Sequence, residues 1–302
     1  MSSVSFIIPV YNKEKYLNAV LNSLFNQIGT FKREFIFIND GSTDKSLKII
    51  NSKIKKMSNS FVISQNNKGS AAATNVGIKL AKYKYIKFLD ADDLIVFNAT
   101  DSLIKIIENN NNINLVFGLQ RKVSNLDNVK LDLKINTNSY KIIEDPLKKA
   151  MTNSMFNPSQ FLVRTKLCKN VGGCDERIKH SQEYSLTLKL AKYDGFAKLN
   201  EYIAILPEIA PGQISEKKVN QIYRVSKALE FFIKDNKTLQ QKYKKFALRR
   251  LTGRSWRFAK RHMPKNLYFK YLKLYIKGFF YFSNDLEKLC EEANSVYEDY
   301  LN

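Results

Sequence analysis

Cysteine is scarce in this chain of 302 residues, with only Cys168, Cys174 and Cys290. An odd number without metal-ligand spacing offers neither a disulfide framework nor a thiolate metal site, and fits a reducing, intracellular compartment. Long apolar runs are missing too. No window approaches the roughly 20 apolar residues that cross a bilayer, so the chain reads as soluble or peripheral. No secretory leader is expected, because the apolar stretch 5–10 is short, lacks a basic preface and is broken by Pro9. Acidic residues are outnumbered: 28 Asp and Glu stand against 50 Lys and Arg, a formal net charge of +22. Self-repulsion of that size works against compactness unless polyanions are near. Nucleic acid, an anionic membrane surface and phosphorylated small molecules are the partner classes it admits. No nucleic-acid-binding motif accompanies the charge, so nucleic acid is not expected.

Hydrophobic residues make up 44% of the chain, enough for a sizeable core. The length predicts one large domain with an extension, or two domains. The stretch that organises the rest is Lys87-Phe88-Leu89-Asp90-Ala91-Asp92-Asp93. Tyr85, Ile86, Phe88 and Leu89 suit a buried strand. Asp is a poor strand residue, so the three carboxylates belong at the strand's C-terminal end, facing a crevice. Crowded carboxylates are tolerated best where a hard divalent cation or solvent compensates them. Two readings follow. One is an Asp-x-Asp site holding Mg²⁺ or Mn²⁺ against a nucleotide diphosphate; the other is a solvated acidic turn with one Asp capping the next helix.

Taken in order, 4–10, 34–38, 61–64, 84–89 and 115–117 read as strands, and helices are expected between them from Glu14, through Leu47 and Ile50, from Ala71 to Ala81 and from Ala99. A Ser or Thr is the expected cap of the second helix. Strands alternating with helices over short loops imply parallel strands in an α/β doubly wound sheet. Ligands of such sheets bind outside the carboxyl ends of the strands. Pro9-Val10-Tyr11, Asn39-Asp40-Gly41 and Asp90-Ala91-Asp92 all fall at those ends. Farther on, 122–140 is irregular and polar, 159–163 is strand-like, 171–176 is a turn, Gln182-Glu183 opens a helix, 202–206 reads as a strand, and 207–212 as a loop.

Four segments carry a resemblance: Phe6-Ile7-Ile8-Pro9-Val10-Tyr11-Asn12, Ile38-Asn39-Asp40-Gly41-Ser42-Thr43-Asp44, Asn67-Lys68-Gly69 with Asn75-Val76-Gly77-Ile78, and Leu89-Asp90-Ala91-Asp92-Asp93. In this order and spacing they resemble the motifs of family 2 glycosyltransferases, which have the GT-A fold. Gly172-Gly173-Cys174-Asp175-Glu176 and Gln182-Glu183-Tyr184 resemble the acceptor-side motifs, so the likeness covers about the first 215 residues. It implies that Pro9, Val10 and Tyr11 line a nucleoside pocket and that Asp40 accepts a hydrogen bond from the base, typically uracil. Asp40 also reads as an ordinary Asx-turn residue. Asn67 and Lys68 match a polar segment near the nucleotide, Asp90 the ribose and nucleotide contact, and Asp92 the metal ligand. Asp93 stands between support for the site and helix capping. Glu183 occupies the place of the family's usual Asp base, and also suits the first turn of a helix through the dipole. Thr74 stands where the family often carries Arg, and Pro207-Glu208-Ile209-Ala210 replaces an Arg-x-His, although Gly212-Gln213-Ile214-Ser215 still matches. Diphosphate contacts are therefore expected from elsewhere.

Beyond residue 216 the chain reads as helical. Between 242 and 277 lie 13 Lys or Arg and no Asp or Glu. Lys270, Lys273 and Lys277 form one stripe of a helix otherwise rich in aromatic and aliphatic residues. A basic amphipathic helix suits an anionic bilayer surface, here over 242–282; a bundle packed on the first domain, a dimer interface and nucleic-acid binding are the other readings. The sequence therefore predicts an α/β, GT-A type catalytic domain over 1–215 with a mostly parallel sheet, and a basic helical extension over 216–302. The resemblance implies an enzyme that uses Mn²⁺ or Mg²⁺ to move a sugar, with inversion, from a nucleotide-sugar to a hydroxyl of a glycan or lipid-linked acceptor in surface polysaccharide synthesis. It would sit in the cytoplasm, peripheral on the inner face of the cell membrane. A non-catalytic polyanion- or membrane-binding protein that keeps the fold is the competing reading, and a nucleotidyltransferase the third.

Overall fold

The computed structural model describes residues 1–127, 129–178, 182–208, 218–280 and 286–301. Its first half alternates as the hydrophobic pattern predicts: β1 (Ser3–Val10), α1 (Glu14–Phe25), β2 (Lys32–Asn39), α2 (Ser46–Ile54), β3 (Ser60–Ser64), α3 (Ser70–Leu80) and β4 (Tyr85–Phe88). The first three strands and β4 pair in parallel, in the order β3-β2-β1-β4. Val10 is level with Asn39, and Leu89 N–H donates to the Ile7 carbonyl at 3.1 Å. The ends of β1, β2 and β4 therefore open on one edge, where the sequence places its polar turns.

Alternation along β1 serves two layers. Phe6 and Ile8 pack into one apolar cluster, with Leu17, Leu21 and Leu24 of α1. Ile7 packs into the other, with Ala71, Ala73 and Ile78 of α3. Both faces are covered, which is why the centres of these parallel strands are mostly apolar. The small residues of α3 let it lie close on β1: a Cβ on Gly77 would come within 2.3 Å of Ile7 Cγ2.

Beyond β4 the sheet becomes mixed. The elements are β5 (Leu94–Ile95), α4 (Ala99–Asn109), β6 (Leu115–Val123), β7 (Tyr140–Ile142), α5 (Pro146–Thr152), a 3-10 turn (Pro158–Gln160), β8 (Phe161–Arg164), α6 (Thr165–Asn170), α7 (Gln182–Leu190) and β9 (Phe196–Pro207). The sheet continues β8-β6-β9-β5, with β7 also on β9. Strand β8 runs antiparallel to both β4 and β6, while β6 and β9 pair in parallel, so the sheet is mixed and mostly parallel, as expected. The strand expected at 202–206 begins earlier, at Phe196. The polar stretch after β6 anchors itself by burying Leu126 and Leu131, and by the Leu131 carbonyl accepting from Phe97 N–H at 2.9 Å. Two capping expectations are corrected. Helix α4 starts at Ala99, six residues past Asp93, so no Asp of the acidic turn caps it. At α2 the side chain that accepts is Asp44, from Ser46 N–H at 2.9 Å, rather than a Ser or Thr.

Four helices follow: α8 (Lys218–Asp235), α9 (Gln241–His262), α10 (Lys265–Phe279) and α11 (Leu286–Leu301). Leu229, Leu248, Leu251, Tyr271 and Val296 belong to the same apolar cluster as Ile86 and Phe161 of the sheet. Part of the basic charge is used in this docking. Arg250 and Arg254 both donate to the Thr152 carbonyl at the end of α5, where the helix dipole favours cations. Arg177 bridges Asp175 and Asp235, joining the turn before α7 to the end of α8. The boundary expected at 215 lies outside the described residues, as do 281–282 and the Gly212-Gln213-Ile214-Ser215 match.

Replacing Gly77 by Ala tests the close approach of α3 to β1. Overpacking a core costs about 1–3 kcal/mol, and the helix gains about 1 kcal/mol from losing Gly. Urea unfolding is expected to show Gly77→Ala less stable by up to about 2 kcal/mol, because the branched Ile7 side chain in the added methyl's path is fully buried.

Candidate active site

The acidic turn is held from beneath. Lys87 points into the core and is fully buried, with Nζ donating to the carbonyls of Phe88, at 3.1 Å, and Ser159. Burial lowers its pKa to about 7, opposed by the nearby charges of Asp93 and Asp90. Ser159, from the 3-10 turn ahead of β8, makes the other links. Its Oγ donates to Asp93 Oδ2 at 2.6 Å and accepts from Asp90 N–H at 3.1 Å. Asp93 is therefore an interior residue that ties the turn to β8, and burial beside Asp90 and Asp92 holds its pKa well above the usual carboxylate range.

Asp90 lies half-buried above this network. Its pKa is pushed up to about 8, first by burial and then by the neighbouring charges of Asp92 and Glu183. Glu183 stands in the first turn of α7, and burial raises its pKa to about 7. Pro9, Asp90 and Glu183 line one cavity of about 10 Å³, together with Thr74, Phe161 and Cys174. That is room for about one water. Residues from β1, the turn after β4 and α7, up to 174 positions apart in the chain, thus meet at the strand ends.

The position of α7 depends on a clamp from α3. The Asn75 side-chain amide donates to the Cys174 carbonyl at 3.0 Å, and its Oδ1 accepts from Cys174 N–H at 2.7 Å. Gly173, at φ +65°, lies so close that a Cβ would fall 2.3 Å from Asn75 Oδ1. This contact accounts for the second glycine of the sequence motif, and the φ of +73° for the first, Gly172.

Asp92 sits at the rim, two residues beyond Asp90, and forms an ion pair with Lys13 at 2.6 Å. Asp40 is buried in the adjoining loop. Its Oδ1 accepts from Gln65 Nε2 at 2.7 Å and from Lys68 N–H at 2.9 Å, and its Oδ2 from Gly69 N–H at 2.9 Å. These bonds fix the turn that carries Asn67 and Lys68, whose side chains are exposed. Val10 is buried, Tyr11 is 46% exposed, and the Val10 carbonyl accepts from Asp40 N–H. Pro9, Asp90 and Glu183 therefore share the cavity, Asp92 borders it through Asp90, and Asp40, Asn67 and Lys68 form an adjacent rim. Sequence reading missed Lys13, Ser159 and the role of Asn75, and took Lys87 as a strand residue only. A lysine inside an otherwise apolar strand was the one available signal; Ser159 carried none.

Carboxylate oxygens are the ligand type that a hard divalent cation takes. Asp90, Asp92, Asp93 and Glu183 gather here, and among the described residues Lys13 and Lys87 offset them. Among the described residues no group of three or more His, Cys, Asp or Glu is arranged to hold an ion. Asp92, with help from Asp90, would supply one or two carboxylates and leave the remaining positions to phosphate oxygens and water, as Mg²⁺ sites commonly do.

The model of glycosyl transferase family 2 matches residues 5–172, more than half of the chain. The chain belongs to this family. It is 46% identical over 107 residues to an uncharacterized glycosyltransferase of Haemophilus influenzae, a match covering 35% of this chain and 41% of the relative. It is 29% identical over 198 residues to the chondroitin synthase of Pasteurella multocida, covering 66% of this chain and 20% of the synthase. The matched region is thus less than half the length of either relative. The crystal structure of S. aureus TarS 1-349 in complex with UDP-GlcNAc shares the fold, with a TM-score of 0.61 at 16% identity, covering all of this chain and 92% of that one. The GT-A expectation is met. The acidic turn, Asn75 and Gly173 all lie within the span of this family 2 match or one residue past it.

Ser159→Ala should reveal the buried network. It leaves a buried carboxylate and a backbone N–H without their partner, at a cost of about 2–3 kcal/mol. Chemical denaturation is expected to show a loss of that size, whereas loss of an exposed serine would leave stability nearly unchanged.

Proposed function

We propose that this family 2 chain transfers a sugar from a nucleotide-sugar, UDP-linked, to a hydroxyl of a glycan or lipid-linked acceptor, with inversion at the anomeric carbon. The observation that carries the reading is the cavity at the strand ends with Asp90 on one wall and Glu183 on the other. The donor would lie along the rim from Asp40 to Asp90, with Pro9, Val10 and Tyr11 beside the nucleoside and Asn67 and Lys68 near it. Asp92 would hold Mn²⁺ or Mg²⁺, which supplies positive charge to the diphosphate when bound. In the reaction the acceptor oxygen attacks the anomeric carbon, the bond from that carbon to the diphosphate breaks, and its electron pair leaves with the nucleoside diphosphate. The hydroxyl proton passes to Glu183. A carboxylate is an adequate base only if its pKa approaches the working pH, and burial gives Glu183 that property. A pair of carboxylates with displaced pKa values in one cleft is also what an enzyme site needs, and a merely retained fold does not.

The polysaccharide-type acceptor is supported by the chondroitin synthase relative. Attachment to an anionic bilayer is supported by α10. Tyr271 and Leu274 face inward, while Phe269, Ile276 and Phe280 are 50%, 50% and 71% exposed on the opposite side. Lys270, Lys273 and Lys277 flank this ridge and are exposed. Aromatic residues bordered by lysines suit the interface of an anionic leaflet. No helix among the described residues is long and apolar enough to cross a membrane. The catalytic unit over 1–215 would then sit on the surface through the helices that follow.

Three measurements test this reading. Turnover of a nucleotide-sugar panel with Mn²⁺ should rise with pH through about 7, as Glu183 loses its proton. Glu183→Gln should lower it by about 10²–10⁴-fold. The stability effect has the opposite sign. Raising the folded pKa from 4.5 to about 7 makes the native state bind the proton more tightly, so stability falls between those values. The Gln variant should therefore melt above the wild type at pH 8. A flat pH profile or a fully active Gln variant would remove Glu183 as the base. For the surface, the protein should sediment with phosphatidylglycerol vesicles and not with phosphatidylcholine alone. The double change Phe269→Ser and Ile276→Ser should weaken this by at least about tenfold, and unchanged binding would rule out the α10 face.

A further inference from the structure

The ion pair between Lys13 and Asp92 is the one contact at the rim that the mechanism above leaves without a task. Lys13 is the residue ahead of α1, its backbone N–H donates to Ser46 Oγ at 2.8 Å, and its side chain is 19% exposed. The backbone is thus fixed, and the side chain reaches the rim beside the Tyr16 ring, with Nζ 5.7 Å from its centroid. The ammonium group lies against Asp92, whose side chain is 13% exposed, at 2.6 Å. Two positive groups cannot both occupy that carboxylate at close range, since like charges a few ångströms apart repel strongly in a half-buried setting. Asp92 is also the group assigned above to a divalent cation. Close by, the helix α3 presents Thr74, a neutral side chain, so no cation for a diphosphate comes from that position.

We propose that Lys13 is an exchangeable counter-ion and donor-positioning residue: it neutralises Asp92 in the free protein, yields that carboxylate to the divalent cation, and turns its ammonium group to the diphosphate of the nucleotide. The inference rests on the assignment of Asp92 as the cation's ligand. Its consequence is a coupling of definite sign. Without nucleotide, the cation must displace Lys13 and binds weakly. With a diphosphate present, the ammonium group has a new anionic partner, so release from Asp92 costs less. Cation and nucleotide then assist each other, and by linkage the assistance is equal in both directions. Direct contacts between the cation and the phosphates add to this coupling, and the Lys13 contribution is the part that depends on its charge.

Lys13→Met separates that part. Mn²⁺ binding to the full chain is measured by electron paramagnetic resonance, with and without UDP, for the wild type, Lys13→Met and Lys13→Arg. In Lys13→Met, Mn²⁺ alone is expected to bind about three- to tenfold tighter, because its competitor is gone. UDP binding is expected to weaken by a similar factor, and the gain in Mn²⁺ affinity on adding UDP to shrink. Lys13→Arg, which keeps the charge, should resemble the wild type in all three. A residue that merely holds the loop would weaken both ligands together in Lys13→Met. If Lys13→Met binds Mn²⁺ no tighter than a wild type that does bind it, the exchange is refuted and the role of Asp92 stands. If the wild type binds UDP but no Mn²⁺ in either condition, the assignment of Asp92 fails and the exchange falls with it.

Discussion

A buried lysine beneath crowded carboxyl groups is the constraint on which this structure rests. Asp90, Asp92 and Asp93 follow one another at the end of β4, and Glu183 approaches them from α7. Such a cluster in a protein interior is unstable without compensation. Lys87 supplies it from within the sheet, at the cost of burying an ammonium group that only backbone carbonyls and nearby carboxylates can satisfy. Lys13 supplies the rest from the rim. One lysine is fully buried and the other partly exposed. The first belongs to the architecture and the second to the ligand exchange.

This arrangement also accounts for the change in the sheet after β4. A further parallel strand would bring a crossover helix to this edge and no side chain to the acidic turn. The antiparallel β8 is preceded instead by the 3-10 turn at Pro158–Gln160, which delivers the Ser159 hydroxyl and carbonyl to Asp90, Asp93 and Lys87. The mixed half of the sheet is therefore a support for the site. Helix α7 is fixed by a separate device, the Asn75 amide against Cys174 and Gly173. Two independent sets of contacts bring Asp90 and Glu183 to one cavity, and both displace carboxylate pKa values toward neutrality, where proton transfer is useful.

The basic C-terminal half has a divided role. Arg250, Arg254 and Arg177 are spent on helix ends and ion pairs that join α8 and α9 to the sheet layer, within one continuous apolar cluster. The reading of a packed bundle is correct for those positions. Among the described residues the lysines of α10 make no such ion pairs, and they lie beside exposed aromatic and aliphatic side chains. The same excess of charge thus serves packing at one end and leaves a face for an anionic surface at the other.

Local pattern was enough for much of this. Apolar periodicity located β1 through α3, and the polar turns after β1, β2 and β4 were legible because Asp and Asn are poor strand residues. Family membership was readable from the same turns, since their order along the chain is a one-dimensional property. Other features were closed to sequence reading. Ser159 looks like any serine, and its partners lie 66 and 69 positions away. Asp40 could be a base contact or a turn residue by pattern alone, and only its three bonds to Gln65, Lys68 and Gly69 show that it holds the loop. Lys13 and Asp92 are 79 residues apart and met only when β1 and β4 became neighbours. Sequence determines which side chains tolerate water and which do not; which charge ends up against which is decided by strand pairing and burial, because electrostatic strength depends on distance and dielectric that no linear order specifies.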